Sequence, residues 1–216
     1  MRGQSELLST FVIIGVAVVI GVAMISYFVP LISTYRSNVD LASYLQKEAS
    51  NNLINIVSYD DASSSLWILL KKADGSSTDF FIAVDVNGSF LNCSKILVYN
   101  VSRDTNGILC DSKDNDCVQA ALAFNRSLSR VYIPWEGAIS NYLSYAKAMG
   151  YTSSGNMSIC RVWNVCRYTA KAGLCGDSTI AQLRLGGTTT NKVRILVIAV
   201  YSNTPYVVGI HEVSLR

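Results

Sequence analysis

The stretch LLSTFVIIGVAVVIGVAMISYFVPLISTY, Leu7–Tyr35, runs for 29 residues without a charged side chain. As an α-helix it would extend about 43 Å, and a bilayer core needs only about 20 residues of helix. Small side chains (Gly15, Ala17, Gly21 and Ala23) are spaced through its Val, Ile and Leu residues. Such residues let helices approach closely, in lipid or in a bundle. Pro30 lacks an amide donor and is expected to bend or loosen the helix near its end. A conventional secretory signal has an apolar core of about 7–15 residues followed by a small-x-small cleavage site. Here the run is longer, and Ile25-Ser26-Tyr27-Phe28 stands where small residues would be. An uncleaved membrane anchor fits the length.

The residues ahead of the run add a further signal. Met1-Arg2-Gly3-Gln4-Ser5-Glu6 places a basic residue, a glycine and three polar residues directly before the apolar segment. This N-terminus resembles the class III leader of archaeal type IV pilins and related flagellin-like filament subunits. The resemblance covers residues 1–35. It implies cutting by a prepilin peptidase between Gly3 and Gln4, which leaves the hydrophobic helix on the mature chain. It also implies an assembly role for the helix, with Glu6, Gly15 and Gly21 as the candidate packing and pairing residues. In that family a glutamate often stands at the fifth mature position, whereas Glu6 would be the third. A carboxylate there favours the positive end of a helix.

Beyond Tyr35 the pattern becomes one-sided. Ala42, Leu45, Ala49, Leu53 and Ile56 recur at steps of three and four, with Arg36, Asp40, Lys47 and Glu48 between them. That stripe predicts an amphipathic continuation of the helix as far as Ser58. The expected organisation is a leader at 1–3, a helix at 4–58 and a head at 59–216.

From Leu66 onward, short β-prone runs alternate with turn signals. Strands are expected at Leu66–Lys71, Asp79–Val86, Lys95–Val101, Ser158–Tyr168, Ile180–Leu185, Val193–Tyr201 and Tyr206–Val213. Asp74-Gly75 and Asn87-Gly88 suit tight turns, because both residues tolerate positive φ. Val193–Val200, nearly all apolar and β-branched, reads as a central strand buried on both faces. Residues 117–128 and 136–149 have helical spacing. The predicted class is α+β: a long N-terminal helix, then a β-rich, sandwich-like head with one or two short helices.

The six cysteines, Cys93, Cys110, Cys117, Cys160, Cys166 and Cys175, all lie in the second half. An even count outside the apolar helix points to disulfides formed in an oxidising compartment. Local closures such as Cys110–Cys117 or Cys160–Cys166 are among the possible pairings. No pair has C-x-x-C spacing and His211 is the sole histidine, so no metal site is expected. Asn-x-Ser/Thr acceptors occur at Asn87, Asn92, Asn100, Asn125 and Asn156. Only 15% of residues are charged, against roughly 25% in an ordinary domain. A surface covered by neighbouring subunits, by sugar or by neutral polar side chains would explain how so charge-poor a head stays soluble.

Sequence patterns for catalysis are absent. There is no G-x-S-x-G elbow, phosphate loop or dinucleotide fingerprint, and His211-Glu212 lacks the second histidine of a zinc-protease helix. A net charge of +3 with scattered bases gives no nucleic-acid footprint. Neither enzyme nor cofactor is expected. The family resemblance implies a homopolymer whose helices pack in a filament core with heads outside, suited to adhesion. The precursor would sit in the membrane and the product outside the cell, with pilus assembly machinery as partner. The alternative is a minor pilin-like or uncleaved, membrane-anchored surface protein whose head binds a ligand.

Overall fold

The structure, a computed structural model, describes residues 2–76, 78–99, 117–136, 139–164, 178–186 and 192–215, with backbone alone at 2–10 and Cys117. The chain divides into two compact units, Met1–Ser43 and Tyr44–Arg216. One α-helix, α1 (Arg2–Asn51), supplies nearly all of the first unit and the opening residues of the second.

Helix α1 continues through Pro30, whose carbonyl accepts a hydrogen bond from the Thr34 hydroxyl at 3.0 Å. It stops at Asn51, seven residues short of the expected end. Two asparagines account for the stop. Asn52 Nδ2 donates back to the Glu48 carbonyl at 2.7 Å and to Glu48 Oε2 at 2.9 Å. The Asn51 carbonyl takes the Ala73 amide at 2.8 Å, and Asn51 Oδ1 takes the Asp74 amide at 2.8 Å. Carbonyls that a helix end would leave open are thereby satisfied from outside it. The β-branched run that follows enters strand β1 (Asn52–Asp60), so Leu53 and Ile56 belong to a sheet and not to the helical stripe. On the last turns, Leu45 is buried while Ala42 and Ala49 are exposed, which shifts the covered face away from the expected positions.

Strand β1 pairs antiparallel with β2 (Ser65–Lys72), which pairs with β11 (Ser178–Arg184). Next come β5 (Ile96–Tyr99) and β6 (Cys117–Gln119), completing the first sheet. Along β2, Leu66, Ile68 and Leu70 are fully buried and alternate with half-buried Trp67, Leu69 and Lys71. Their cross-strand neighbours Leu183 and Ala181 are also fully buried, so one face of this sheet is a continuous apolar layer.

The second sheet runs β7 (Ala121–Ser127), β10 (Asn156–Val162), β3 (Phe80–Val86), β12 (Lys192–Tyr201), β13 (Thr204–Ser214), β8 (Tyr132–Ile133) and β9 (Ser140–Asn141). Strand β12 lies between β3 and β13 and is buried from Val193 through Ala199, as its composition predicts. Short β4 (Ser89–Phe90) folds back on β3 through Asn87-Gly88, at φ 50° and 93°. A side chain at Gly88 would place its Cβ 2.1 Å from the Thr152 carbonyl oxygen, so both conformation and space require glycine there. A second two-residue turn, Ser202-Asn203 at φ 47° and 63°, joins β12 to β13.

Residues 117–127 are not helical, and Leu128 opens only a short 3₁₀ turn, Leu128–Arg130. The stretch forms β6 and β7, at the edges of two different sheets, and the Ala120 amide between them donates to the Ile96 carbonyl at 2.8 Å. Within this stretch Val118 and Leu122 face solvent. Of the second expected helix, α2 (Tyr142–Ala148) is helical, capped by Asn141, whose Oδ1 accepts the Ser144 amide at 2.8 Å. Tyr142 and Ala146 press onto Ala83, Met157, Leu196 and Ile198 of the second sheet. The α+β class holds: a long apolar helix followed by a β-rich head with a short helix.

Cys93 is bonded to Cys160, which rules out the local Cys160–Cys166 closure. Cys110, Cys166 and Cys175 lie outside the described residues, as do the sulfur of Cys117 and the acceptor Asn100. The bridge spans 67 residues, and on the chain-entropy account closing so long a loop contributes about 4 kcal/mol. Replacing Cys93 by Ser is expected to lower the unfolding free energy of the oxidised chain by roughly 2–5 kcal/mol, read from the urea midpoint.

Candidate functional site

The first candidate is α1 itself. Between Phe11 and Tyr35, seventeen large apolar side chains are about half exposed or more, from Phe28 at 50% to Phe11 at 72%. Covering what is still exposed on each would return roughly 1–2 kcal/mol, a little over half of the full-burial value. The total, on the order of 15–30 kcal/mol, is as large as the whole net stability of an ordinary domain, about 5–15 kcal/mol, or larger. The helix is long and apolar enough to cross a membrane. At Gly15 and Gly21 no atom beyond the helix's own backbone lies within 4 Å of where a Cβ would stand, so nothing among the described residues requires small side chains there. Gly3, Gln4 and Glu6 all lie within the helical backbone.

The second feature lies inside the head, where its opening helical turns meet the sheets. Tyr44 donates its hydroxyl to the Val200 carbonyl at 3.0 Å and sets its ring 5.3 Å from that of Tyr201. Burial, and then the Glu48 charge, raise the Tyr44 pKa above its ordinary value, keeping the phenol a donor. Glu48 reaches Lys72 at 3.6 Å, and the buried Lys72 ammonium also sits 5.1 Å from the centre of the Phe80 ring. A cavity of about 160 Å³ opens among Tyr44, Glu48, Lys72, Asp79, Phe81 and Val200. Asp79 is held by Arg161 Nε at 2.7 Å and the Asn164 amide at 3.0 Å. These bonds use the charged groups to join helix, sheet and loop. Patterning alone could not identify them, because Lys72 follows one predicted strand and Asp79 opens the next as ordinary strand-end charges.

A third cluster closes the other end of β3. Asp85, fully buried, bonds Arg194 at 3.0 Å, the Ser153 hydroxyl at 3.0 Å and the Gly88 amide at 2.7 Å. Burial pushes the Asp85 carboxyl up, while Arg194, Ser153 and Gly88 each pull it back. The Arg194 guanidinium lies 3.9 Å from the centre of the Tyr151 ring, and the Tyr151 hydroxyl donates to Glu212 at 3.2 Å. Burial, reinforced by Asp85, pushes the nearby Tyr142 phenol up to about 12. The cluster pins the β3–β4 turn to the 150–155 loop and to β12. It is a structural lock.

His211 is half-buried on β13, and burial lowers its pKa from the ordinary 6.5. Among the described residues no three His, Cys, Asp or Glu side chains form a group able to hold a metal ion. The acceptors Asn87, Asn92, Asn125 and Asn156 are all exposed. Comparisons with protein families, curated proteins and solved structures find no match to this chain. The functional reading therefore rests on the physical features of the chain and on the resemblance of its first residues to a class III leader.

A histidine with a depressed folded pKa binds its proton more weakly in the fold than in the unfolded chain. Stability should then be full above pH 6.5 and fall as the pH drops from there through the folded value. Thermal melting of the wild type and of His211→Gln should diverge across that window, with the variant losing less.

Proposed function

We propose that this chain is the structural subunit of an extracellular type IV pilus-like filament. The observation that carries the reading is the uncharged helix from Phe11 to Tyr35, whose side chains are exposed all round. A helix apolar on every side must be surrounded, by lipid or by like helices. The leader-like Met1-Arg2-Gly3 ahead of it supports a sequence of both. The precursor helix rests in the membrane with Arg2 at its cytoplasmic end. Cleavage after Gly3 frees Gln4, and the helices then leave the bilayer to bundle in the filament core.

Lipid tails are as apolar as leucine, so this transfer exchanges one apolar surrounding for another. Close packing at small residues, not the hydrophobic effect, must then favour the polymer. Gly15 and Gly21 supply smooth patches for that contact. The disulfide-braced head remains outside, where a sparse supply of charge is compatible with close neighbours. Adhesion of cells to surfaces or to one another is the work such a fibre would do.

N-terminal sequencing of the chain from sheared extracellular fibres tests the reading, which expects a start at Gln4. A chain that starts at Met1 and stays in the membrane fraction would instead be an uncleaved surface protein, and would overturn it. Gly15→Leu and Gly21→Leu are expected to leave head folding and membrane insertion unchanged. Fibre yield should fall at least about tenfold, the ratio that roughly 1.4 kcal/mol of lost packing gives.

A further inference from the structure

The fold separates the four Asn-x-Ser/Thr sequences whose asparagine lies among the described residues by what each asparagine does. Asn87 sits in the left-handed β3–β4 turn, and its Oδ1 accepts the Lys192 amide at 3.3 Å. Gly88, the middle residue of that acceptor, is buried, and its amide is bonded to Asp85. Asn92 caps a 3₁₀ turn by accepting the Ser94 amide at 3.0 Å, and the middle residue of its acceptor is the bridged Cys93. Both side chains serve the fold.

Asn125 and Asn156 differ. Both are exposed, and among the described residues neither side chain makes a hydrogen bond. Their two acceptor sequences, Asn125-Arg126-Ser127 and Asn156-Met157-Ser158, lie directly opposite each other on adjacent strands. The register pairs Asn156 with Ser127 and Asn125 with Ser158. Cross-strand partners share a face, so both carboxamides and both hydroxyls stand together, with the two asparagines on a diagonal roughly 7–8 Å apart. The opposite face carries Phe124, Met157 and Ile159 into the core. Alternation thus aims the apolar residues inward and four neutral polar groups outward.

Strand β7 is also an edge strand among the described residues, and it exposes Leu122 at 58%. Edge strands are normally shielded from pairing with other chains by charge, proline or a covering element. Proline is absent here, and Arg126 is the sole charge on the strand. A bulky hydrophilic group beside this edge would shield it.

We propose that the facing Asn125 and Asn156 sequons form a glycan-acceptor site on the outward face of the β7–β10 pair. The donor is a lipid-linked oligosaccharide carried on a polyprenyl phosphate. In the transfer, the bond between sugar C1 and the donor phosphate oxygen breaks, and a bond from C1 to the asparagine Nδ2 forms. The carboxamide gives up one proton, and the polyprenyl phosphate leaves with the electron pair. Ser127 and Ser158 complete the acceptor sequence and are not themselves modified. The inference rests on the reading above only in requiring the head to lie outside the cytoplasm, and it makes this face part of the exterior of any filament.

The test is glycopeptide mass spectrometry of the chain from the cells that make it. An oligosaccharide mass on the peptide of either Asn125 or Asn156 is expected. It should disappear from Asn125 in both Asn125→Gln and Ser127→Ala, and from Asn156 in both Asn156→Gln and Ser158→Ala. Because all four positions lie on the outward face, these variants should fold. Bare peptides at both asparagines would overturn the proposal, as would a mass that persists after the serine is removed. The two readings fail separately. Glycosylated chains that begin at Met1 and build no fibres sink the filament alone, whereas fibres of unmodified subunits sink the glycan site alone.

Discussion

Seventeen large apolar side chains on the uncharged stretch of one helix, each about half exposed or more, set a demand that the rest of the molecule has to meet. Leaving so much apolar surface in water is costly on the scale of a domain's folding free energy. The helix is long and apolar enough to cross a membrane, and the filament proposed above would give it first lipid and then like helices as its surroundings. A head with its own sheets and disulfide can fold while that question is settled elsewhere. The division of the chain at Ser43/Tyr44 expresses the same separation in its contacts.

How the helix hands over to the head is decided by polar side chains and not by apolar ones. The Asn51–Asn52 pair ends α1 by supplying and accepting hydrogen bonds that another helical turn would have made, and the Ala73 and Asp74 amides complete the arrangement. Tyr44, Leu45 and Glu48 then fasten the opening turns of the head to its strands. A hydroxyl-to-carbonyl bond and a mostly buried ion pair are directional, so they fix the rotation of the helix end as well as its position. Apolar contact alone would leave that rotation loosely specified.

Much of this architecture is legible in the residues. The apolar run, the Asn87-Gly88 turn and the β-branched Val193–Val200 strand each have one physical solution, and the structure adopts it. Where the reading departs, two weak local signals compete. Leu53 and Ile56 fit a helical stripe continuing from Leu45, yet the same run is β-branched, and capping by two asparagines tips the balance. Residues 117–128 have helical spacing, but the backbone around Ala120 bonds to β5 instead. The register that sets Asn125 against Ser158 is invisible in sequence, since it depends on strands more than 30 residues apart. The Cys93–Cys160 bond is hidden for the same reason.

The turn at Gly88 has a consequence for tracing the ancestry of this head. Its backbone conformation favours glycine, and the carbonyl of Thr152 occupies the space any larger residue would need. Because the obstructing atom belongs to the backbone, glycine is required at 88 whatever side chain stands at 152, so long as two segments more than 60 positions apart keep this approach. In a chain whose surface is free to drift, that junction is a fixed landmark, against which remote kin could be aligned when overall resemblance has faded.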